Sequence, residues 1–137
     1  MALLWEAHQN HGQLPWAQIL QPAIRLASAG FLPSPRLLRS IRLAQRFGVA
    51  HNPKFQALYL PGGQPPAADQ PFRNSSLART LKLLARGGGP AFYQGPLAQQ
   101  ILDGVNALQA SEPNFRGWSS ADLSSYCLLY TSPSPRD

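Results

Sequence analysis

Helix start and stop signals recur along this chain and restrict it to short helices. Ser34 followed by Pro35 favours a helix start, because proline at the first helical position lacks only a donor that would be unpaired there anyway. Gly30 and Gly48 favour helix stops, since glycine readily adopts the left-handed conformation that ends a helix. Apolar residues recur near helical spacing between these signals. The sequence therefore predicts a mostly α chain.

Six helices follow from this punctuation. The first is predicted to end before Gly12. The next four are predicted to span residues 15–29, 35–47, 75–86 and 96–110, and a last short helix follows Ser119. Pro22 is expected to kink or split the second, because it removes a backbone donor. Ser119 and Asp122 have capping-box spacing, with Asp in place of the usual Glu.

One short extended stretch is predicted among these helices. Residues 51–71 are rich in proline and glycine, and residues 57–60 are the only strand candidate before the turn at Pro61. No internal repeat is present, which argues against a solenoid. The predicted fold class is thus mostly α with one short extended stretch.

The last eleven residues, 127–137, match one reading frame of a common transposase adaptor. We expect this stretch to be a sequencing-adaptor translation and exclude it from fold reasoning. Residues 1–126 are then the native part, and the natural chain is expected to continue beyond Tyr126. The only cysteine, Cys127, lies in the excluded stretch, so no disulfide, thiol nucleophile or cysteine metal site is predicted.

The chain is basic, with a net charge of +6, and ten of its twelve basic residues are arginine. Four of them, Arg36, Arg39, Arg42 and Arg46, are spaced to lie on one side of a helix. A small basic α-helical module that binds nucleic acid is therefore one hypothesis, although no named nucleic-acid motif is present. A solvated outer face and the arginine usage of a GC-rich genome are the simpler interpretation.

Membrane signals are weak in this sequence. No run of about 18 apolar residues exists, so no membrane span is predicted. The first residues lack a basic region and soon reach Glu6 and His8, which is unlike a signal peptide.

Residues that could carry chemistry lack partners at useful spacing. His8 and His11 are three apart, but no carboxylate or third histidine lies at ligand spacing nearby, and the carboxylates are not paired for acid–base work. Glycines 87–89 follow a helix, whereas phosphate loops precede one. Thr80 lies within a predicted helix and Thr131 within the excluded stretch. No catalytic, cofactor-binding or metal-binding residue is predicted, and no cofactor.

Several segments, in order, resemble the large subunit of γ-glutamyltransferase, also called γ-glutamyltranspeptidase or glutathione hydrolase. They are HQNHGQLPW at 8–16, QPAIRLASAGF at 21–31, LARTL at 77–81, Gly89 with FYQG at 92–95, LA at 97–98, and DLSSY at 122–126. The resemblance covers nearly all of residues 3–126. It implies part of the αββα fold of N-terminal nucleophile hydrolases, with these helices covering one face of the sandwich.

The resemblance implies a precursor that cuts itself, so that a threonine becomes the first residue of the small subunit. That threonine attacks the γ-glutamyl amide of glutathione, and water or an amine resolves the acyl-enzyme. Nothing around Thr80 or Thr131 resembles the small-subunit start. We therefore expect the nucleophile downstream of Tyr126, the carboxylate-binding arginine upstream of Met1, and this segment to be an inert scaffold.

The resemblance also implies partners and a location. The partners are the rest of the large subunit and the small subunit after autocleavage, with glutathione as substrate of the complete enzyme. Neither specific nucleic acid nor membrane contact is expected, and the location is periplasmic or extracellular. A cephalosporin acylase or a poly-γ-glutamate-processing enzyme of the same superfamily would share these segments.

A scaffold without its sheet should expose the apolar faces of its helices. We expect this exposure on two helices, at Leu37, Leu38, Ile41, Leu97, Ile101 and Val105. Gly30 with Phe31, and residues 92–95, are expected to be structural corners.

Overall fold

A computed structural model describes residues 1–48, 51–110, 112 and 114–126. Within them the α-helices are α1 (Ala2–His11), α2 (Trp16–Ala29), α3 (Pro35–Arg46), α4 (Pro53–Tyr59), α5 (Ser75–Gly87), α6 (Pro90–Tyr93), α7 (Pro96–Asn106) and α8 (Ser120–Ser124). Short 3-10 turns span Pro61–Gly63 and Ala107–Ala110. The described part contains one isolated backbone bridge, between Phe31 and Phe72, and no named strand. The mostly α class is confirmed.

Side-chain caps begin the helices where the sequence predicts them. The Ser34 hydroxyl accepts the Leu37 backbone N–H at 3.2 Å, one residue before Pro35 opens α3. The Asn74 side-chain oxygen accepts the Leu77 N–H at 2.9 Å at the start of α5. Each cap satisfies a backbone donor that has no partner within the helix.

A split at Pro22 and a strand at 57–60 are both contradicted. Helix α2 is continuous over Trp16–Ala29, and burial of Ile24 and Ala27 beyond the proline offsets the one missing donor. The strand candidate at 57–60 falls largely within α4. Asn52 decides this, since its side-chain oxygen accepts the N–H groups of Lys54 and Phe55 at 2.9 and 3.2 Å and so starts a helix.

The chain forms two compact units. The terminal unit comprises Met1–Gln21 and Thr80–Asp137, and the middle unit comprises Pro22–Arg79.

An aromatic row organises the middle unit. The rings of Phe31 and Phe72 meet edge to face at 5.8 Å, Phe72 stacks on Tyr59 at 5.5 Å, and Tyr59 contacts Phe55 at 4.8 Å. The Phe31 N–H donates to the Phe72 carbonyl at 3.1 Å, and the Phe72 N–H donates back at 2.9 Å. These contacts join α4 to the chain that follows α2.

Gly30 makes that approach possible and is a structural corner, as the sequence predicts. Its φ is +91°, and a Cβ placed on it would lie 2.7 Å from Cγ of Arg73. The same Arg73 side chain donates through Nε to the Ala29 carbonyl at 2.9 Å, and the Asn74 N–H donates to the Ala27 carbonyl. These donors satisfy the last carbonyls of α2, which have no partner within the helix.

In the terminal unit, α7 packs against α8. Ala98, Leu102 and Leu123 form a buried cluster with Ile101 against it. Burying each large aliphatic side chain stabilises the folded state by roughly 1.5–3 kcal/mol. Leu123 is thereby held between the capped start of α8 and the middle of α7.

The expected exposure of two apolar faces is wrong at the residues named for it. Leu38, Ile41 and Leu97 are buried and their partners Leu37, Ile101 and Val105 are half-buried. On α7 the reason is the packing of Ile101 against the buried cluster of Ala98, Leu102 and Leu123. Other large apolar side chains are exposed instead: Leu3, Leu4, Leu14, Ile19, Leu26, Phe31, Leu32, Leu43, Phe47, Leu77, Leu83, Leu108, Trp118 and Tyr126. Among the described residues no helix is long and apolar enough to cross a bilayer.

Candidate functional site

His8 takes part in an aromatic cluster with Trp5 and Trp16, which we call the tryptophan cluster. The two indoles meet edge to face at 5.0 Å, and the His8 ring lies 5.1 Å from Trp16 and 6.3 Å from Trp5. The His8 Nε2–H donates to the Leu14 carbonyl at 2.8 Å. This histidine is therefore engaged in packing and loop closure, and no group of three or more metal-ligating side chains occurs in the described part.

The glycine run 87–89 receives this cluster. A Cβ on Gly88 would lie 2.5 Å from Cη2 of Trp5, and one on Gly89 would lie 2.5 Å from Cγ of Trp5. The Trp16 indole N–H donates to the Leu84 carbonyl at 2.8 Å, just before the glycines. The run ends α5, as predicted, but sequence reasoning missed its second role, which is to leave space for the Trp5 ring.

Tyr93 links the first helix to the end of the described chain. Its hydroxyl accepts the Ala2 N–H at 3.1 Å, and its ring stacks on Tyr126 at 5.5 Å with an interplanar angle of 11°. Phe92 meets Tyr93 edge to face at 5.0 Å. The predicted structural corner at 92–95 is confirmed. The short helix α6, which overlaps the first two residues of this corner, was not predicted, because four residues show no periodicity.

Asn106 holds the chain that leads into α8. Its side-chain amide donates to the Trp118 carbonyl at 2.9 Å, and its side-chain oxygen accepts the Trp118 N–H at 2.7 Å. Beside this pair lies an open depression of about 260 Å³, lined by Arg116, Gly117, Trp118 and Asp122. This reciprocal pair holds the backbone of Trp118, one of the residues that line the depression.

Ser119 and Asp122 form the predicted capping box. The Ser119 hydroxyl and N–H each donate to the Asp122 carboxylate at 2.7 Å, and the Asp122 N–H donates to the hydroxyl at 3.3 Å. The side-chain and then the backbone hydrogen bond from Ser119, with a smaller contribution from Arg116, hold the pKa of Asp122 below its ordinary value. The carboxylate is therefore stabilised in its charged form as a cap, and the serine is committed to it.

This lowered pKa predicts an acid-sensitive α8. A depressed carboxyl pKa contributes stability above the unfolded value, about 3.9, and loses it as pH falls through the folded value. Carbon chemical shifts in α8 should lose helical character as pH drops below about 4. Asp122→Asn should weaken the helix at neutral pH and remove this step. An identical pH response in the variant would contradict the assignment.

A second depression, of about 320 Å³, lies in the middle unit and is lined by Gln45, His51, Gln56, Leu60 and Gly63. His51 is exposed there, and its backbone N–H donates to the Gly48 carbonyl. The four helical arginines 36, 39, 42 and 46 are all exposed on α3, as a solvated face requires. Thr80 lies within α5, and Thr131 lies outside the described residues.

Several residues that the sequence analysis considered for chemistry make contacts that support the fold. His8, Tyr93 and Ser119 each close a turn or cap a helix, through the bonds given above. The prediction of no catalytic, cofactor-binding or metal-binding residue stays a prediction. The clearest signal that sequence reasoning overlooked is the pairing of an early tryptophan with a distant glycine pair.

Known proteins share the sequence and the helical arrangement of this chain. The gamma-glutamyltranspeptidase family model matches residues 1–134. The chain is 37% identical over 128 residues to the acylase ACY 1 proenzyme of Pseudomonas sp. (strain V22), covering 93% of this chain and 22% of that protein. It is 33% identical over 100 residues to the glutathione hydrolase 5 proenzyme of Homo sapiens, covering 73% and 17%.

Among solved structures, the gamma-glutamyltranspeptidase from Pseudomonas nitroreducens complexed with L-DON superposes with a TM-score of 0.70 at 29% identity. The match covers 90% of this chain and 33% of that one. The helices are therefore part of the fold of N-terminal nucleophile hydrolases. The chain belongs to the gamma-glutamyltranspeptidase family, and it spans about a fifth of the length of the curated relatives it matches.

Proposed function

We propose that these helices are a scaffold segment of a γ-glutamyltransferase. The complete enzyme cleaves the γ-glutamyl amide of glutathione and transfers the γ-glutamyl group to water or to an amino-acid or peptide amine. The observation that carries this proposal is the family match, which extends over residues 1–134. The similarity to a human glutathione hydrolase proenzyme supports the substrate.

The contacts of the described residues support the scaffold role. His8 is bonded to a backbone carbonyl, and Ser119 is bonded to the carboxylate that caps α8. A nucleophile needs an adjacent base and a free path to the substrate. We infer that the nucleophile is a threonine exposed by autocleavage elsewhere in the complete chain, in a small subunit that pairs with this one. A periplasmic or extracellular location belongs to the same proposal.

A second candidate is an acylase of the same superfamily. It is favoured by the 37% identity to the acylase ACY 1 proenzyme, which covers 93% of this chain. The two candidates share the scaffold and the nucleophile chemistry, and differ in the acyl group that is removed.

The 137-residue chain by itself should not turn over a γ-glutamyl anilide. The physical reason is that its described serines and its described threonine serve in helices or caps. The measurement is release of the coloured anilide over a boiled control. Turnover above that control would place the chemistry inside this segment and contradict the scaffold role.

The complete gene product tests the substrate. Its precursor should cut itself before a threonine, and replacing that threonine by alanine should leave it uncut and inactive. A γ-glutamyl anilide and a cephalosporin amide are then compared by kcat/KM. Preference for the cephalosporin amide by more than about tenfold, worth roughly 1.4 kcal/mol, would favour the acylase. A precursor that stays whole and inactive would contradict both candidates.

A further inference from the structure

The positive charge of this chain is concentrated in the middle unit. Between Pro22 and Arg79 the sequence has eight arginines and lysines and a single acidic residue, Asp69, giving +7. Because the whole chain carries +6, the rest of it carries −1. The charge asymmetry between the two units indicates that the middle unit favours an anionic surface.

Half of that basic charge lies on one helix. Arg36, Arg39, Arg42 and Arg46 are all exposed, and no acidic residue occurs in α3. Their spacing of three, three and four places them on one side, extending about 15 Å along the axis. We call this surface the arginine face.

Two apolar side chains lie on the same side of α3. Leu43 is 50% exposed and Phe47, the C-terminal cap, is 74% exposed, whereas Leu38 and Ile41 on the opposite side are buried. Leu43 is four residues after Arg39 and three before Arg46, so it lies between them on the helix surface. The solvent side of α3 therefore combines cationic groups with an exposed leucine and phenylalanine.

We propose that the arginine face, with Leu43 and Phe47, docks on an anionic phospholipid bilayer, with α3 lying parallel to its surface. Guanidinium groups match phosphate geometry, and basic helices with apolar side chains at the surface bind the headgroup region. The intervening apolar pair favours lipid over duplex nucleic acid, whose backbone contacts need only the charges. This departs from the expectation that the segment makes no membrane contact.

The test is co-sedimentation of the full 137-residue chain with vesicles. Binding is expected to mixed phosphatidylglycerol and phosphatidylcholine vesicles, and not to phosphatidylcholine alone. It should weaken as salt rises, since the Debye length is about 10 Å at 0.1 M and shrinks further above that. Circular dichroism of each variant checks that its helices are intact.

Two paired variants test whether the arginine face is the surface that binds the vesicles. Arg39→Gln with Arg42→Gln should weaken vesicle binding roughly 30-fold, because each basic residue near an anionic bilayer contributes about fivefold. The matched control, Arg25→Gln with Lys54→Gln, removes the same charge from exposed positions outside the face. It should weaken binding only a few-fold. Equal losses in the two variants would overturn the proposal.

Leu43→Ser with Phe47→Ser separates a bilayer from other polyanions. This variant should lose vesicle binding and keep any weak, salt-sensitive binding to duplex DNA or to an acidic polypeptide. Unchanged vesicle binding, or tighter binding of the unmodified chain to either polyanion than to vesicles, would overturn the bilayer assignment. The result is independent of whether the complete enzyme acts on glutathione.

Discussion

Gly88→Ala is expected to lower the free energy of unfolding of the terminal unit by roughly 2–5 kcal/mol. Two effects add at this position. Gly88 has a φ of +65°, where a side chain is strained, and its new Cβ would lie 2.5 Å from the Trp5 ring. Trp5 has little freedom to retreat, because the Trp16 indole packs against it at 5.0 Å. The measurement is urea unfolding followed by tryptophan fluorescence.

Gly62→Ala is the control for backbone strain. Gly62 has a φ of +69°, and a Cβ there would meet nothing within 4 Å. Its cost should be about 1–2 kcal/mol, the strain alone. A double-mutant cycle with Trp5→Leu should then show that the Gly88→Ala penalty shrinks, because the clash partner is smaller. Equal costs for the two glycines, with no coupling to Trp5, would mean that the tryptophan cluster is not seated on Gly88.

Leu38→Ala should destabilise the middle unit by about 2–4 kcal/mol, because it leaves a cavity under α3. Leu43→Ala, in the same helix, should change its stability by no more than about 0.5 kcal/mol. The two leucines are 7% and 50% exposed. Since the substitution and the helix are the same, helix propensity cancels. Thermal melts of both variants measure the difference directly.

The outcome of this pair also tests where α3 finds its packing. If both leucines proved equally costly, the solvent side of α3 would be covered in solution, and the arginine face would not be free to meet a bilayer. If neither substitution lowered the stability, the side of α3 that carries Leu38 would be unpacked, as the sequence analysis expected.

These energies matter for the proposed role. A scaffold segment must hold its own helices before it can support a nucleophile carried elsewhere. Gly88 and Trp5 join the two sequence stretches of the terminal unit, and Leu38 buries α3 in the middle unit. Either substitution in the complete gene product is expected to reduce the yield of processed enzyme more than its kcat, which separates a structural from a catalytic role.

Local chemistry was readable from the sequence. Ser34 and Ser119 cap helices as predicted, and Asn74 caps the helix predicted over residues 75–86, because a cap is a bond between residues two or three apart and needs no tertiary partner. The arginine spacing predicted one exposed face for the same reason. The family resemblance, carried by motifs such as residues 21–31, is confirmed by a family match over residues 1–134.

Tertiary contacts decided the rest, because burial and ring packing depend on residues distant in sequence. Residues 57–60 have strand-like composition, yet most of them lie in a helix that starts at the Asn52 cap, a local signal that the sequence prediction missed. Only the fold stacks Tyr59 of that helix on Phe72. Spacing places Leu38 and Ile41 on the side of α3 opposite the arginines, and only the structure shows that this side is buried. Gly88 and Gly89 signal a helix end in sequence, and only the fold brings Trp5 into the space they leave.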